Sequence, residues 1–233
     1  RQMEIFGEDT WFRIGDRDTA THLTRTNMLK NGKSLSYITR WMCEKFAIEP
    51  KIIPVTDNTV STRITTSKGK LHLQEYWVKY RGMDPVEGIE YQGIEKARPN
   101  PEAVSAIHDS ELIVIAPGNP LTSIGPMMMM KGIKKELSKN KRKVVAVSPI
   151  IGDKAVSGPA GKYMEAAGLE VSAYGVAKWY AEVCSKLVID TRDRMQTKKI
   201  ESLNVSVYDT KIKMTNKKDE DSLASYLLNQ IRR

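Results

Sequence analysis

The most regular hydrophobic pattern in the chain lies in its second half. "ELIVIAP" (111–117), "KVVAVSP" (143–149) and "SKLVID" (185–190) are short, apolar and mostly β-branched, and they read as strands buried on both faces. Stretches of helical spacing stand between them. "NPEAVSAIH" is a short helix with Asn100 as cap and Pro101 at its first position. "PMMMMKGIKKELSK", "PAGKYMEAAG" (closed by Gly168) and "GVAKWYAEVC" follow as helices, and "RMQTKKIESL" and "SLASYLLNQI" flank a last strand, "NVSVYD". This alternation predicts an α/β fold with a Rossmann-like, mostly parallel sheet and flanking helices.

The first half has a different rhythm. "TATHLTRTNMLK" predicts a helix over 19–30, capped by Asp18 and closed by Asn31 and Gly32. Ser34 caps a second, "LSYITRWMCEKFAI". "KIIPV" (51–55) reads as a short strand. "STRITTS" and "KLHLQEYWV" alternate on either side of the turn "SKGK", and "GIEYQGI" (88–94) adds a further strand. One domain over 1–233 is expected, with 19–99 as a small helical and antiparallel β insertion and 100–233 as the Rossmann-like part.

The 233 residues are 40% hydrophobic and 28% charged, ordinary for a globular chain. No apolar run approaches the roughly 20 residues that cross a bilayer, and no leader segment is visible. Two cysteines, Cys43 and Cys184, are too few for a disulfide framework or a zinc site, and both are expected as buried thiols in a reducing cytoplasm. The net charge of +9 raises nucleic acid as a partner, but the excess sits largely in 131–143 and 210–218 without interleaved aromatics. The first is a helix running into a turn; "TKIKMTNKK" (210–218) reads as a solvated connector. Neither nucleic acid nor membrane is expected as a partner. The chain opens at Arg1 on what reads as mid-domain sequence, so a preceding N-terminal piece is expected.

Two loops could carry chemistry. "APGNPLTSIGP" (116–126) and "SPIIGDKAVSGPAG" (148–161) each leave a predicted strand and enter a helix. Glycines, hydroxyls and a helix start there suit either an ordinary βα turn or a phosphate cradle. Neither loop is a Walker motif or a dinucleotide fingerprint. Together they describe a crevice outside the carboxyl ends of the strands. "GDRDTATH" sets Asp16, Arg17, Asp18 and His22 at a loop-to-helix junction, which suits metal, phosphate or hydroxyl binding, or a capped helix with a local ion pair. Asp57 follows a strand and fits a turn; His72 and His108 read as structural. No Ser-His-Asp set is identifiable.

The runs "GDRDTATHLTRTNML", "PVTDNTVSTRI", "LHLQEYWVKYRG", "EKARPNPEAV", "APGNPLTSIGP", "VVAVSPIIGDKAVSGPAGKYMEAAGLEVSAYGVAKWYAE" and "VIDTRD" occur in one order over most of residues 9–194. In that order they resemble the 2-phospho-L-lactate transferase family of coenzyme F420 biosynthesis. The family's glycine-rich first strand-loop-helix and its acidic P-D-x-D segment have no counterpart here. Gly118 stands where the family commonly has serine, and Asn58-Thr59 where it has Asp-Pro. The resemblance implies a transferase of substituted phosphate groups: a hydroxyl of the deazaflavin Fo attacks lactyl diphosphoguanosine (LPPG), GMP leaves, and phospholactyl-Fo (F420-0) forms. It implies Asp16 and Arg17 as catalytic residues, with Asp16 also a ligand of a Mg²⁺ cofactor. Gly118, Asn119, Pro120, Thr122, Ser123 and Gly125 would hold the nucleotide diphosphate. His22, Asp57, Ser148, Pro149, Ile150, Ser157 and Gly158 would line the Fo pocket. Without the glycine-rich and acidic segments the chain is expected to turn over poorly. The oligomeric state stays open, a homodimer included. The alternative is a non-catalytic regulator that binds a nucleotide or nucleotide sugar.

Overall fold

The computed structural model describes residues 5–7 and 9–231. Helix α1 (Asp16–Lys30) starts at Gly15, whose φ of −71° and ψ of 168° make it the cap; no side chain closes the turn. Asp18 is therefore not the cap, and α1 begins three residues earlier than its pattern suggested. The helix buries none of its residues and rests on α2 (Leu35–Lys45). Ser34 caps α2 as expected, its hydroxyl accepting from the Tyr37 amide at 3.2 Å.

Residues 51–55 form no strand. Pro54 lacks a ladder donor, and the carbonyls of Pro54 and Val55 accept instead from the side chain and backbone of Asn100 at 3.1 and 2.7 Å. An antiparallel meander follows: β1 (Ser61–Thr66) lies between β2 (Gly69–His72) and β3 (Gly88–Gln92). The alternation of "LHLQEYWV" outlasts its strand. At Glu75–Lys79 the backbone closes into a π-helical turn that fully buries Tyr76, whose hydroxyl donates to the carbonyls of Gly82 and Asp84. Burying one large ring overrides the period-2 preference of the segment.

The second half has the expected order. Helix α3 (Pro101–Asp109), capped by Asn100, leads to β4 (Ile113–Ile115). A π-helical turn at Pro120–Ile124 runs into α4 (Gly125–Met128) and then α5 (Lys131–Lys139). The single methionine-rich helix of the sequence pattern is thus two pieces, broken at Met129 and Met130. Then come β5 (Val144–Val147), the short hairpin β6 (Ile150–Ile151) and β7 (Lys154–Ala155), α6 (Ala160–Ala166), α7 (Ala173–Tyr180) and β8 (Lys186–Asp190). After a 3₁₀ turn at Thr191–Gln196 come α8 (Thr197–Glu201), β9 (Ser206–Thr210) and α9 (Lys217–Tyr226).

Strands β4, β5, β8 and β9 form one sheet in that order, with all neighbours parallel. Its central strands alternate between two cores. Val144, Ala146, Leu187 and Ile189 pack with α5, α6 and α7, together with Ile64 and Tyr76 of the meander. Val145, Val147 and Val188 pack on the other face with Ile212, Leu223 and Leu227. The architecture is α/β and Rossmann-like. One expectation fails at the edge: Val114, on the same face as Val145, is 42% exposed, so β4 is not buried on both faces. Among the described residues nothing pairs with the outer edge of β4. Cys184 is buried, which pushes its thiol up to about 11, whereas Cys43 is only half-buried.

Candidate active site

A cavity of about 620 Å³ opens at the carboxyl ends of the parallel strands. Pro117, Gly118 and Asn119 line it from the loop after β4, with Thr122 and Ser123 beyond them; Ser148 and Pro149 enter after β5, and Ile212, Lys213 and Met214 after β9. Val156 to Ala160 and Tyr163 complete the floor, and Leu73, Gln74 and Trp77 of the meander face them. The two loops singled out in the sequence do share one crevice. Its lining mixes apolar and aromatic residues, Leu73, Trp77, Tyr163 and Met214, with the hydroxyl-bearing Thr122, Ser123 and Ser157.

The loop after β4 works differently from a backbone cradle. The Asn119 side-chain oxygen accepts from the amides of Leu121 and Thr122 at 3.0 and 3.2 Å, and its carbonyl accepts from those of Ser123 and Ile124, both at 3.0 Å. Four successive N–H groups are therefore satisfied inside the loop, and Thr122 and Ser123 bring hydroxyls to the cavity lining. Asn119 caps the turn. Pro120 and Gly125 are buried and do not line the cavity. A side chain at Gly125 would overlap the Tyr91 hydroxyl, which donates to the Leu121 carbonyl at 2.5 Å and ties β3 to this loop.

On the second loop, the fully buried Ser148 hydroxyl donates to the Ile150 carbonyl at 3.0 Å and accepts from its amide at 3.1 Å. It shapes the turn and leaves Ile150 in the core, away from the cavity wall. Ser157 and Gly158 are exposed at the cavity, Gly158 with a φ of +67° that favours glycine. Tyr163 is almost wholly buried at the wall, and its hydroxyl has no hydrogen-bond partner among the described residues.

Sequence reasoning missed how these walls are held. The "DTRD" turn after β8 braces both. Asp190, 1% exposed, takes the Arg192 side chain on Oδ1 and the Ile212 amide on Oδ2 at 3.3 Å. Asp193, equally buried, accepts on Oδ1 from the Gly152 amide at 2.9 Å. One carboxylate thus fixes the 212–214 wall, and the other fixes the hairpin that leads to Val156 and Ser157. Their environments differ. The hydrogen bond from Arg192 holds Asp190 below the ordinary carboxylate value, while burial, and then the charge of Asp190, raise Asp193 above it.

The remaining sequence candidates lie elsewhere. Asp16 and Arg17 are exposed in the first turn of α1, where Asp16 Oδ1 accepts from the Arg17 amide at 2.9 Å. His22 is exposed beside Arg25, 2.6 Å from ring nitrogen to guanidinium. Asp57 holds the start of α2, accepting from the Ser36 amide and hydroxyl at 2.6 and 2.8 Å. None of the four lines the cavity.

The family model described as "2-phospho-L-lactate transferase CofD" matches residues 6–226. The chain belongs to the 2-phospho-L-lactate transferase family. Among its curated relatives, the 2-phospho-L-lactate transferase of Methanosarcina mazei is 41% identical over 94% of this chain and 72% of its own length. That of Methanosarcina acetivorans is 39% identical over 97% and 73%, and that of Methanocaldococcus jannaschii 43% identical over 85% and 65%. Two solved structures of a Bacillus halodurans protein, one described as a member of the upf0052 family, share the fold. Their TM-scores are 0.61 and 0.59 at 13% and 14% identity, covering 87% and 85% of this chain and 70% and 69% of theirs.

A transferase of this family acts on small molecules, and among the described residues no helix is long and apolar enough to cross a membrane. The residues fit a magnesium ion poorly. Among the described residues no three His, Cys, Asp or Glu side chains cluster, Asp16 stands on an open helix, and no carboxylate lines the cavity.

Proposed function

We propose that the cavity binds the phosphorylated donor and the hydroxyl-bearing acceptor of a phospholactyl transfer, from lactyl diphosphoguanosine to Fo with release of GMP. The observation that carries this reading is the cavity's mixed lining at the carboxyl ends of the parallel strands. Its aromatic and aliphatic residues fit a flat deazaflavin ring; the hydroxyls of Thr122 and Ser123, in the loop after β4, fit phosphate oxygens. Family membership supplies the reaction class. Such a transfer needs no protein nucleophile. The acceptor oxygen bonds to phosphorus, the bond to the GMP oxygen breaks, and the acceptor proton passes to solvent or to a leaving oxygen. The protein's part is in-line positioning and neutralised charge. Tyr163 and Trp77 would seat the ring, and the self-satisfied Asn119 turn would hold its hydroxyls still.

One observation favours a second reading, nucleotide binding without turnover: among the described residues, the cavity offers no carboxylate to orient an acceptor hydroxyl. Fo titration followed by its own fluorescence, together with mass detection of phospholactyl-Fo, separates the two. Fo binding with product formation supports the transferase reading. GDP binding without Fo binding replaces it with the second.

A further inference from the structure

The wall after β9 gives the cavity its charge. Lys213 is the one charged side chain among the described residues that line it. Two other lysines of this run are ion-paired away from the cavity lining: Lys211 with Asp219 at 2.6 Å, and Lys217 with Asp221 at 3.0 Å and Glu220 at 3.7 Å. Lys213 has no ion-pair partner among the described residues. Its backbone is nevertheless fixed. Ile212, 2% exposed, packs on Val145, Val147 and Val188, and its amide donates to the buried Asp190.

The balance at this cavity is one positive charge, neutral hydroxyls and no carboxylate. That composition attracts an anion and offers a cation nothing. We infer that Lys213 binds the phosphate charge of the substrate, with Thr122 and Ser123 completing the contact from the far edge of the sheet. Asp190 is its positioning residue, acting through Ile212. The inference rests on the reading of this cavity as the substrate site and adds the group that recognises the anion. It concerns a residue outside every motif that suggested the family.

Calorimetric titration of the protein with GDP and with inorganic pyrophosphate tests it, using Lys213→Gln, Lys213→Arg and Thr122→Ala, with thermal melts to confirm folding. Lys213→Gln is expected to weaken both ligands roughly ten-fold or more and to flatten the salt dependence, while Lys213→Arg stays within about three-fold. Asp190→Asn should weaken GDP in the wild-type background and add nothing in Lys213→Gln, because its effect passes through the lysine. If Thr122→Ala weakens GDP and Lys213→Gln does not, the role of Lys213 is overturned and the cavity reading stands. If neither variant changes affinity, the cavity reading falls as well. Equal losses in Lys213→Gln and Lys213→Arg overturn charge as the basis, and additive losses with Asp190→Asn overturn the positioning role.

Discussion

Asp190 and Asp193 sit three residues apart in one turn, both buried, yet their protonation is pushed in opposite directions. A carboxyl held low by Arg192 contributes stability that is fully present above its unfolded pKa, about 4, and is lost as pH falls through the folded value. A carboxyl raised by burial does the reverse: the fold favours its protonated form, so stability declines as pH climbs from the unfolded value through the raised one. Asp190→Asn should therefore flatten the acid limb of a melting-temperature profile, and Asp193→Asn the decline above it. Asp190 profiles that parallel wild type below pH 4 would contradict this assignment. Asp190→Ala also strands the buried Ile212 amide and is expected to cost about 1–3 kcal/mol at neutral pH, read by denaturant unfolding. Ser123 belongs to the other kind of residue. Its exposed hydroxyl has no hydrogen-bond partner among the described residues, so Ser123→Ala should leave stability unchanged while weakening GDP by about 1.5–3 kcal/mol in calorimetry.

Elements differ in how openly the sequence announced them. Strands β5 and β8 were legible because both faces are covered and their central residues are all apolar. Helix α3 was legible because Asn100 and Pro101 mark its start. The run 73–79 was not, because its alternation is genuine but the burial of Tyr76 bends it out of the ladder. The start of α1 was misplaced because Asp18 looks like a cap, whereas the chain enters the helix at Gly15. The strand-end loops were located by their glycines and hydroxyls, yet the inward use of the Asn119 oxygen was invisible without the fold. Asn119→Ala is accordingly expected to act on the turn, costing about 1 kcal/mol of stability as a lost cap, with any loss of GDP affinity following from a loosened loop. Tyr91→Phe tests whether the meander braces this loop. Removing the donor to the Leu121 carbonyl should cost about 1–3 kcal/mol, seen in urea unfolding. An unchanged midpoint would show the brace to be idle.

At the scale of the whole molecule, the four parallel strands deliver their carboxyl ends to one place, and three of the following segments wall the cavity. The outer strands contribute opposite resources, hydroxyls after β4 and a lysine after β9, while the turn after β8 moors both neighbouring walls through a pair of buried carboxylates. The lysine was illegible in the sequence because "TKIKMTNKK" looks uniformly solvated; only the fold shows Lys213 at the cavity and Lys211 paired with Asp219. The acidic "GDRD" motif drew attention by its composition, but it stands on a helix that buries nothing, away from the cavity. Substrate phosphate is expected to bind between Thr122, Ser123 and Lys213. A crystal structure of the protein with GDP bound tests this most directly. The diphosphate is expected in contact with these three side chains. A diphosphate held instead at Asp16 and Arg17, with the cavity empty, would contradict it.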